Sequence, residues 1–390
     1  MKQLLIFVSV ISVLFVSCSG GSKSSVADVE KPAYIPNPSG FEIYRGMNVS
    51  HWISQTGDWV DRATFFTEQD VKDLKSWGFD HIRLPVDEEI IFDTLGVPID
   101  SSFRDLTNAI DWCIAHDMRV IVDLHILRSH HFNSRNNEGE MTLWNNPEAQ
   151  ERFFVLWDSL SARLHSYPNN MVAYEFMNEP VAPEHEMWND LVTKVFQRIR
   201  ALEPERVLML GSNRWQKPHT FPYLEVPKND PNIILTVHTY HPYFVTHYKA
   251  FWSAAKFYEG PVQYPGYPIT QTDYDTYVDT TNIPLVSRIE EELSFEYFDK
   301  QKLADILAPA VAKAKEYNLQ LYCSEFGCLP NVDRATRLQY YQDITDVFRE
   351  HNVTYSSWDF KGNFGIVAWD SKARKNGEVD KELVDILVAW

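Results

Sequence analysis

Cysteine is scarce in this chain: four residues in 390, at positions 18, 113, 323 and 328. None forms a Cys-x-x-Cys pair or a Cys/His zinc spacing, so neither a zinc module nor a dense disulfide framework is encoded. Basic residues are also in deficit, with 36 Lys and Arg against 54 Asp and Glu and a formal net charge of −18. Binding nucleic acid needs a basic face, and this balance opposes one. Gly-x-Gly-x-x-Gly, a Walker loop and Gly-x-Ser-x-Gly are all missing. Those absences count against dinucleotide, nucleotide and α/β-hydrolase readings. The N-terminal apolar run, Leu4 to Val16, is too short for a membrane-spanning helix.

That run reads instead as an export signal. Lys2 supplies a positive start, and Phe15-Val16-Ser17-Cys18 resembles a bacterial lipobox, in which the cysteine becomes the lipidated first residue. Ser, Gly and Pro crowd the stretch from Ser19 to Ser39, as in a flexible tether. The expected division is therefore a lipoprotein signal peptide at 1–17, a lipid-anchored tether at 18–39 and a single folded domain at 40–390. The chain is expected in the cell envelope, held to a membrane through Cys18. Ser19 to Lys23 contains no acidic pair, so the face of the membrane stays open. Of the other cysteines, Cys323 is expected as a buried thiol on the inward face of a strand, with a Cys323–Cys328 bridge as the alternative.

Beyond residue 40, apolar β-like runs alternate with amphipathic helical stretches. Strands are expected at Ile43–Asn48, Phe79–Pro85, Met118–His125, Met171–Asn178, Arg206–Ser212, Ile233–Tyr240, Leu319–Glu325 and Thr354–Asp359. Helices are expected at Thr67–Trp77, Phe103–His116, Pro147–Ser166, Glu184–Leu202, Gln301–Tyr317 and Ala335–Glu350. Such alternation argues for a parallel sheet, and eight units in about 350 residues suit an α/β fold of the (β/α)8, or TIM barrel, type. The fifth unit is the weakest, lacking a clear helix after Arg206–Ser212. Residues 241 to about 298 form a long insertion after strand six, rich in aromatics that include Tyr243, Phe244, Trp252, Tyr258, Tyr264 and Tyr267. A connection of this length usually has a function or a structure of its own.

Two glutamates close expected strands: Glu179 in Asn178-Glu179-Pro180 after the fourth, and Glu325 in Ser324-Glu325-Phe326-Gly327 at the seventh. Barrels of this type present catalytic residues at the C-terminal ends of their strands. Two facing carboxyl groups can cleave a glycosidic bond, one protonating the leaving oxygen while the other attacks. Arg83, His125, His238, Tyr240 and Trp358 lie at or near other strand ends. Arg83 and Tyr240 would hold Glu325 ionised and oriented, and burial or a second carboxylate would keep Glu179 protonated. The Asn178 amide suits a sugar hydroxyl, and the Trp358 indole offers a flat floor for a sugar ring.

This constellation resembles glycoside hydrolase family 5. The resemblance implies Glu179 as acid/base and Glu325 as nucleophile, supported by Arg83, His125, Asn178, His238, Tyr240 and Trp358. It runs from about Tyr44 to the C-terminus and is nearest to bacterial endo-β-1,4-glucanases, through Gly46-Met47-Asn48 with Trp52, the Gly78–Arg83 segment and the His241–His247 segment. The segment after strand six is similar to one in enzymes that accept both glucan and mannan. The long insertion departs from them, so glucan, mannan or a decorated glucan remain alternatives, as does a non-catalytic polysaccharide-binding lipoprotein. The partner expected is a polysaccharide or oligosaccharide, for a monomer with no cofactor and no metal. His125, His130 and His131 could suggest a metal, but no His-Glu-x-x-His accompanies them. Trp52, Trp144, Trp215 and Trp252 are candidate sugar platforms, and Lys361 reads equally as a group reaching a sugar hydroxyl or as a solvated loop lysine.

Overall fold

The computed structural model describes residues 34–132 and 140–389. The signal peptide, Cys18 and most of the tether lie outside the described residues. Eight parallel strands close into a barrel in chain order: β1 (Arg45–Asn48), β2 (His81–Asp87), β3 (Arg119–Ile126), β4 (Val172–Glu175), β5 (Val207–Gly211), β6 (Ile233–His238), β7 (Gln320–Glu325) and β8 (Val353–Ser357). Every expected strand is present, with ends displaced by no more than three residues. All six expected helices form as well, and local signals account for their ends. Thr67 and Asp70 build a capping box at the start of Glu68–Trp77, which Gly78 ends at φ 106°. Asn146 caps Pro147–Leu164, whose first residue is a proline, a position where no backbone donor is lost. After β5 there is only a short 3-10 turn, Pro218–Tyr223, as its weak pattern foreshadowed.

Alternation along the strands divides the core. Outward residues such as Leu84, Val122, Tyr174, Leu210, Val237 and Leu321 join the large apolar layer beneath the helices. Inward residues at the bottom of the barrel, among them Ile121, Ala173, Met209, Ile234 and Tyr322, pack with Phe41 and Ile43 into a separate plug. Further along the same faces the inward residues become polar: Asp123 and His125 follow Ile121, and Glu175 follows Ala173. The barrel is thus apolar at one end and charged at the other.

Three expectations change here. Residues 34–39, assigned above to the tether, are fixed to the barrel. Ile35 N–H donates to Gln320 Oε1 at 3.1 Å and Ser39 Oγ bonds Asn232 Oδ1 at 2.8 Å. Cys323 faces the helix layer together with Leu319 and Leu321, and both Cys323 and Cys328 are free thiols. The reason is a β-bulge: Val237 pairs with Cys323 but His238 pairs with Glu325, so Ser324 is an extra residue in β7. Strict alternation would send Glu325 outward with Cys323, and the bulge re-aims it into the barrel. Lys361, expected either at a sugar hydroxyl or in a solvated loop, is buried, and its ammonium bonds Asp70 Oδ1 at 2.8 Å and the carbonyl of Phe65.

The insertion folds on its own core of Phe244, Ala255, Tyr258, Ile269, Leu285 and Ile289. It contains the helices Gln271–Tyr277 and Ile283–Glu291 and is tied back to the barrel by the Tyr264 hydroxyl, which donates to Asp343 at 2.8 Å. After β8 come an antiparallel hairpin, Val367–Asp370 with Lys375–Val379, and a final helix, Lys381–Val388, held through Asp380 by Arg334 and Arg337. Lys361 provides a test of the polar core. Removing one partner of a buried pair costs about 3–5 kcal/mol. Lys361→Met should therefore lower stability by about that amount in urea unfolding while leaving ligand affinity unchanged. Weakened ligand binding at undiminished stability would return the lysine to the binding surface.

Candidate active site

The charged end of the barrel is organised around Arg83, whose guanidinium is fully buried. Nε donates to Glu175 Oε2 at 2.7 Å, and Nη1 donates to Glu325 Oε1 at 2.8 Å and to Asn48 Oδ1 at 3.1 Å. Nη2 donates to Asn178 Oδ1 at 2.8 Å and lies 3.0 Å from Asp123 Oδ2. One cation thus faces three carboxylates. Burial pushes Asp123 up to about 7 against the pull of Arg83 and likewise raises Glu175. For Arg83 burial acts the other way, but the three carboxylates prevail and the guanidinium stays charged.

Glu325 receives a second hydrogen bond, from the Tyr240 hydroxyl to Oε2 at 3.0 Å. Gly327 allows the chain after it to pass close to β8, since a Cβ there would lie 2.4 Å from the carbonyl oxygen of Trp358. Glu179 stands just beyond β4 in a left-handed backbone conformation, φ 44°. Its Oε1 lies 2.9 Å from His238 Nδ1, which is itself 3.7 Å from Glu325 Oε2. Carboxylate oxygens of Glu179 and Glu325 come within 4.8 Å of one another. Burial raises the pKa of both. The charge of Glu325 raises Glu179 further, whereas the Arg83 guanidinium and the Tyr240 hydrogen bond oppose the rise at Glu325. Of the pair, Glu179 is the one that keeps a proton.

Burial also pushes His125 down to about 3 and His238 well below the usual imidazole range, so both rings are neutral. His125 Nδ1 bonds Asp123 at 2.7 Å, and its ring stacks on Trp358 at 5.5 Å and 8°. Asn178 Nδ2 and His238 Nε2 are buried without a protein partner, which leaves each able to bond a ligand hydroxyl. Glu179, His238 and Glu325 also have the spacing of a metal-binding group. Their facing atoms, however, are already engaged with one another, with Arg83 and with Tyr240.

All eight residues singled out for the catalytic centre therefore converge. Six of them, His125, Glu179, His238, Tyr240, Glu325 and Trp358, line a cleft of about 1210 Å³, and Arg83 and Asn178 are buried beneath it. The platform candidates divide evenly. Trp215 and Trp252 line the cleft, Trp252 from the insertion. Trp52 is buried with its indole donating to Arg62, and Trp144 is buried edge-on to Trp188, so these two are core residues. Of the loop histidines, His131 lines the cleft, whereas His130 is fully buried against Trp144. Tyr243, one of the insertion aromatics singled out above, is on the cleft wall, whereas sequence reasoning missed Trp59 and Phe132 there and Asp123, Glu175 and Gln216 beneath it. A signal for Asp123 and Glu175 was present, since each is an acidic residue inside an otherwise apolar strand.

Comparison with known proteins agrees with this geometry. A family model described as cellulase (glycosyl hydrolase family 5) matches residues 37–364. Endoglucanase C of Acetivibrio thermocellus is 30% identical over 348 residues, 88% of this chain and 97% of that protein. Cellodextrinase A of Ruminococcus flavefaciens is 28% identical over 315 residues, 80% of this chain and 84% of that protein. The crystal structure of an endoglucanase from Thermotoga maritima superposes with a TM-score of 0.68 at 21% identity, covering 90% of this chain and 98% of that one. The barrel, its charged mouth and these likenesses lead to one assignment: the chain belongs to glycoside hydrolase family 5 and is a glycosidase.

Proposed function

We propose that the protein is a retaining endo-β-1,4-glucanase in which Glu325 is the nucleophile and Glu179 the acid/base. The observation that carries this reading is the unequal environment of two carboxylates within 4.8 Å of each other. A retaining enzyme holds its carboxyl groups about 5–5.5 Å apart, whereas an inverting one leaves about 6.5–9.5 Å for a water molecule. In the first step Glu325 bonds to the anomeric carbon while Glu179 gives its proton to the departing oxygen. In the second, Glu179 takes a proton from water, whose oxygen displaces Glu325 and restores both groups. His238, neutral and within hydrogen-bond distance of Glu179, adds no positive charge that would strip the acid of its proton. The names of the endoglucanase and cellodextrinase relatives support glucan as the polymer. An open cleft walled partly by the insertion supports attack within a chain. By its N-terminal sequence we further place the enzyme on a membrane of the cell envelope through a lipid on Cys18.

The catalytic roles separate by leaving group. Glu325→Gln should abolish turnover on soluble β-glucan, mannan and aryl cellobiosides alike. Glu179→Ala should lose polysaccharide activity but keep the glycosylation burst on a dinitrophenyl cellobioside, whose leaving group needs no proton. Activity needs Glu325 ionised and Glu179 protonated, so the wild-type kcat/KM profile should be a bell, falling below the pKa of Glu325 and above that of Glu179. The alkaline limb should vanish for the burst in Glu179→Ala. Equal losses on both substrates would reverse the role assignment, and release of mannan products in preference to glucan products would replace the substrate.

Trp252 stands partly exposed on the cleft wall beside Phe251 and Phe364. Trp252→Ala should raise KM on hexasaccharides several-fold, the equivalent of about 1 kcal/mol for one aromatic contact, with less effect on disaccharides. An equal rise on both would remove it as a distal platform.

Cys18→Ser should move the protein from the membrane fraction to the soluble one with activity unchanged. A wild-type protein found entirely soluble, or a variant still labelled by palmitate, would overturn the anchor.

A further inference from the structure

Gln216 is part of no motif, yet the chain is held in an unusual conformation to place it. Arg214, Trp215 and Gln216 are consecutive left-handed residues, at φ 58°, 61° and 53°. Each costs an L-residue about 1–2 kcal/mol, and such residues normally occur singly. The turn is pinned from several directions. Trp215 N–H donates to Pro180 O at 3.2 Å, His238 N–H donates to Gln216 O at 3.1 Å, and the Trp215 indole donates to Phe132 O at 3.1 Å. The Gln216 side chain is fully buried over Gly211, the last residue of β5, where a Cβ would lie 2.1 Å from its Nε2.

Both ends of the amide are used. Oε1 accepts the backbone N–H of Glu179 at 3.1 Å, and Nε2 donates to Glu175 Oε1 at 3.0 Å. The other oxygen of Glu175 takes Arg83 Nε at 2.7 Å, and Arg83 in turn holds Glu325. Glu179 lies past the end of β4 and is left-handed itself, so no strand ladder fixes its backbone. The amide has one workable orientation, because exchanging its oxygen and nitrogen would set two donors against each other at Glu179.

We propose that Gln216 is a positioning residue for the acid/base. Its amide locks the Glu179 backbone and links it, through Glu175 and Arg83, to the group that orients the nucleophile. The spacing of the two carboxylates is then set by one connected unit. This inference rests on the reading of Glu179 as acid/base.

The test is made in the full-length protein with Gln216→Met, which removes both bonds at similar volume, and Gln216→Asn, which keeps the amide one methylene short. Glu179→Ala is measured alongside, and circular dichroism reports folding. A misplaced acid costs on the order of 10–100-fold in rate. Gln216→Met should lose about that much kcat on β-glucan, with KM little changed and the burst on dinitrophenyl cellobioside retained. Added azide should speed steady-state turnover of that aryl substrate, because an external anion replaces the failing base in deglycosylation. Gln216→Asn should show a smaller loss with the same dependence on leaving group, and it decides the matter if Gln216→Met does not fold. If Glu179→Ala lacks leaving-group dependence, the acid/base reading itself fails. If Glu179→Ala has it and the Gln216 variants lose burst and polysaccharide turnover equally, or lose neither, the positioning role is overturned.

Discussion

The centre of this enzyme depends on one buried positive charge. Taking a guanidinium out of water is costly, and it is tolerated only where anions and carbonyls replace the lost solvent. Arg83 meets Asp123, Glu175 and Glu325 together with the amides of Asn48 and Asn178. Those partners come from four different strands or the segment just beyond one of them, so the ion cluster also fixes how the strand ends stand relative to one another. The apolar plug below it, built on Phe41, Ile43 and Tyr322, keeps water away and strengthens each of these interactions.

The two glutamates are chemically identical side chains made different by position. Glu325 is turned inward by an extra residue in β7 and received by a cation and a phenol. Glu179 is set beyond β4 against a neutral imidazole. A carboxylate beside a positive charge stays ionised, and one beside a neutral ring and a negative neighbour does not. The protonation pattern follows from which strand end each glutamate occupies.

Much of this was legible in the sequence. The eight strands are short apolar runs bounded by helical patterns, and their polar terminal residues pointed to the set that converges at the charged mouth. What was not legible was local geometry. Nothing in the residue types Arg214, Trp215 and Gln216 signals three left-handed conformations, because none is glycine or asparagine. The bulge at Ser324 breaks the alternation on which the placing of Cys323 relied. Tryptophan serves core and cleft equally well, and only contacts separate Trp52 and Trp144 from Trp215 and Trp252. The short helices of the insertion were hidden among its prolines and aromatic residues.

The insertion has a further consequence. Its apolar centre is separate from the barrel core, and among the cleft-lining residues it contributes are Tyr243, Trp252, Arg288 and Glu292, none of which bonds the two glutamates. Changes at these four positions therefore leave the hydrogen bonds around Arg83 in place, whereas Thr246, which bonds the Tyr240 carbonyl, is tied to the catalytic end. How a polymer is gripped, and how far along its length, is thus set partly by side chains that take no part in holding the two glutamates.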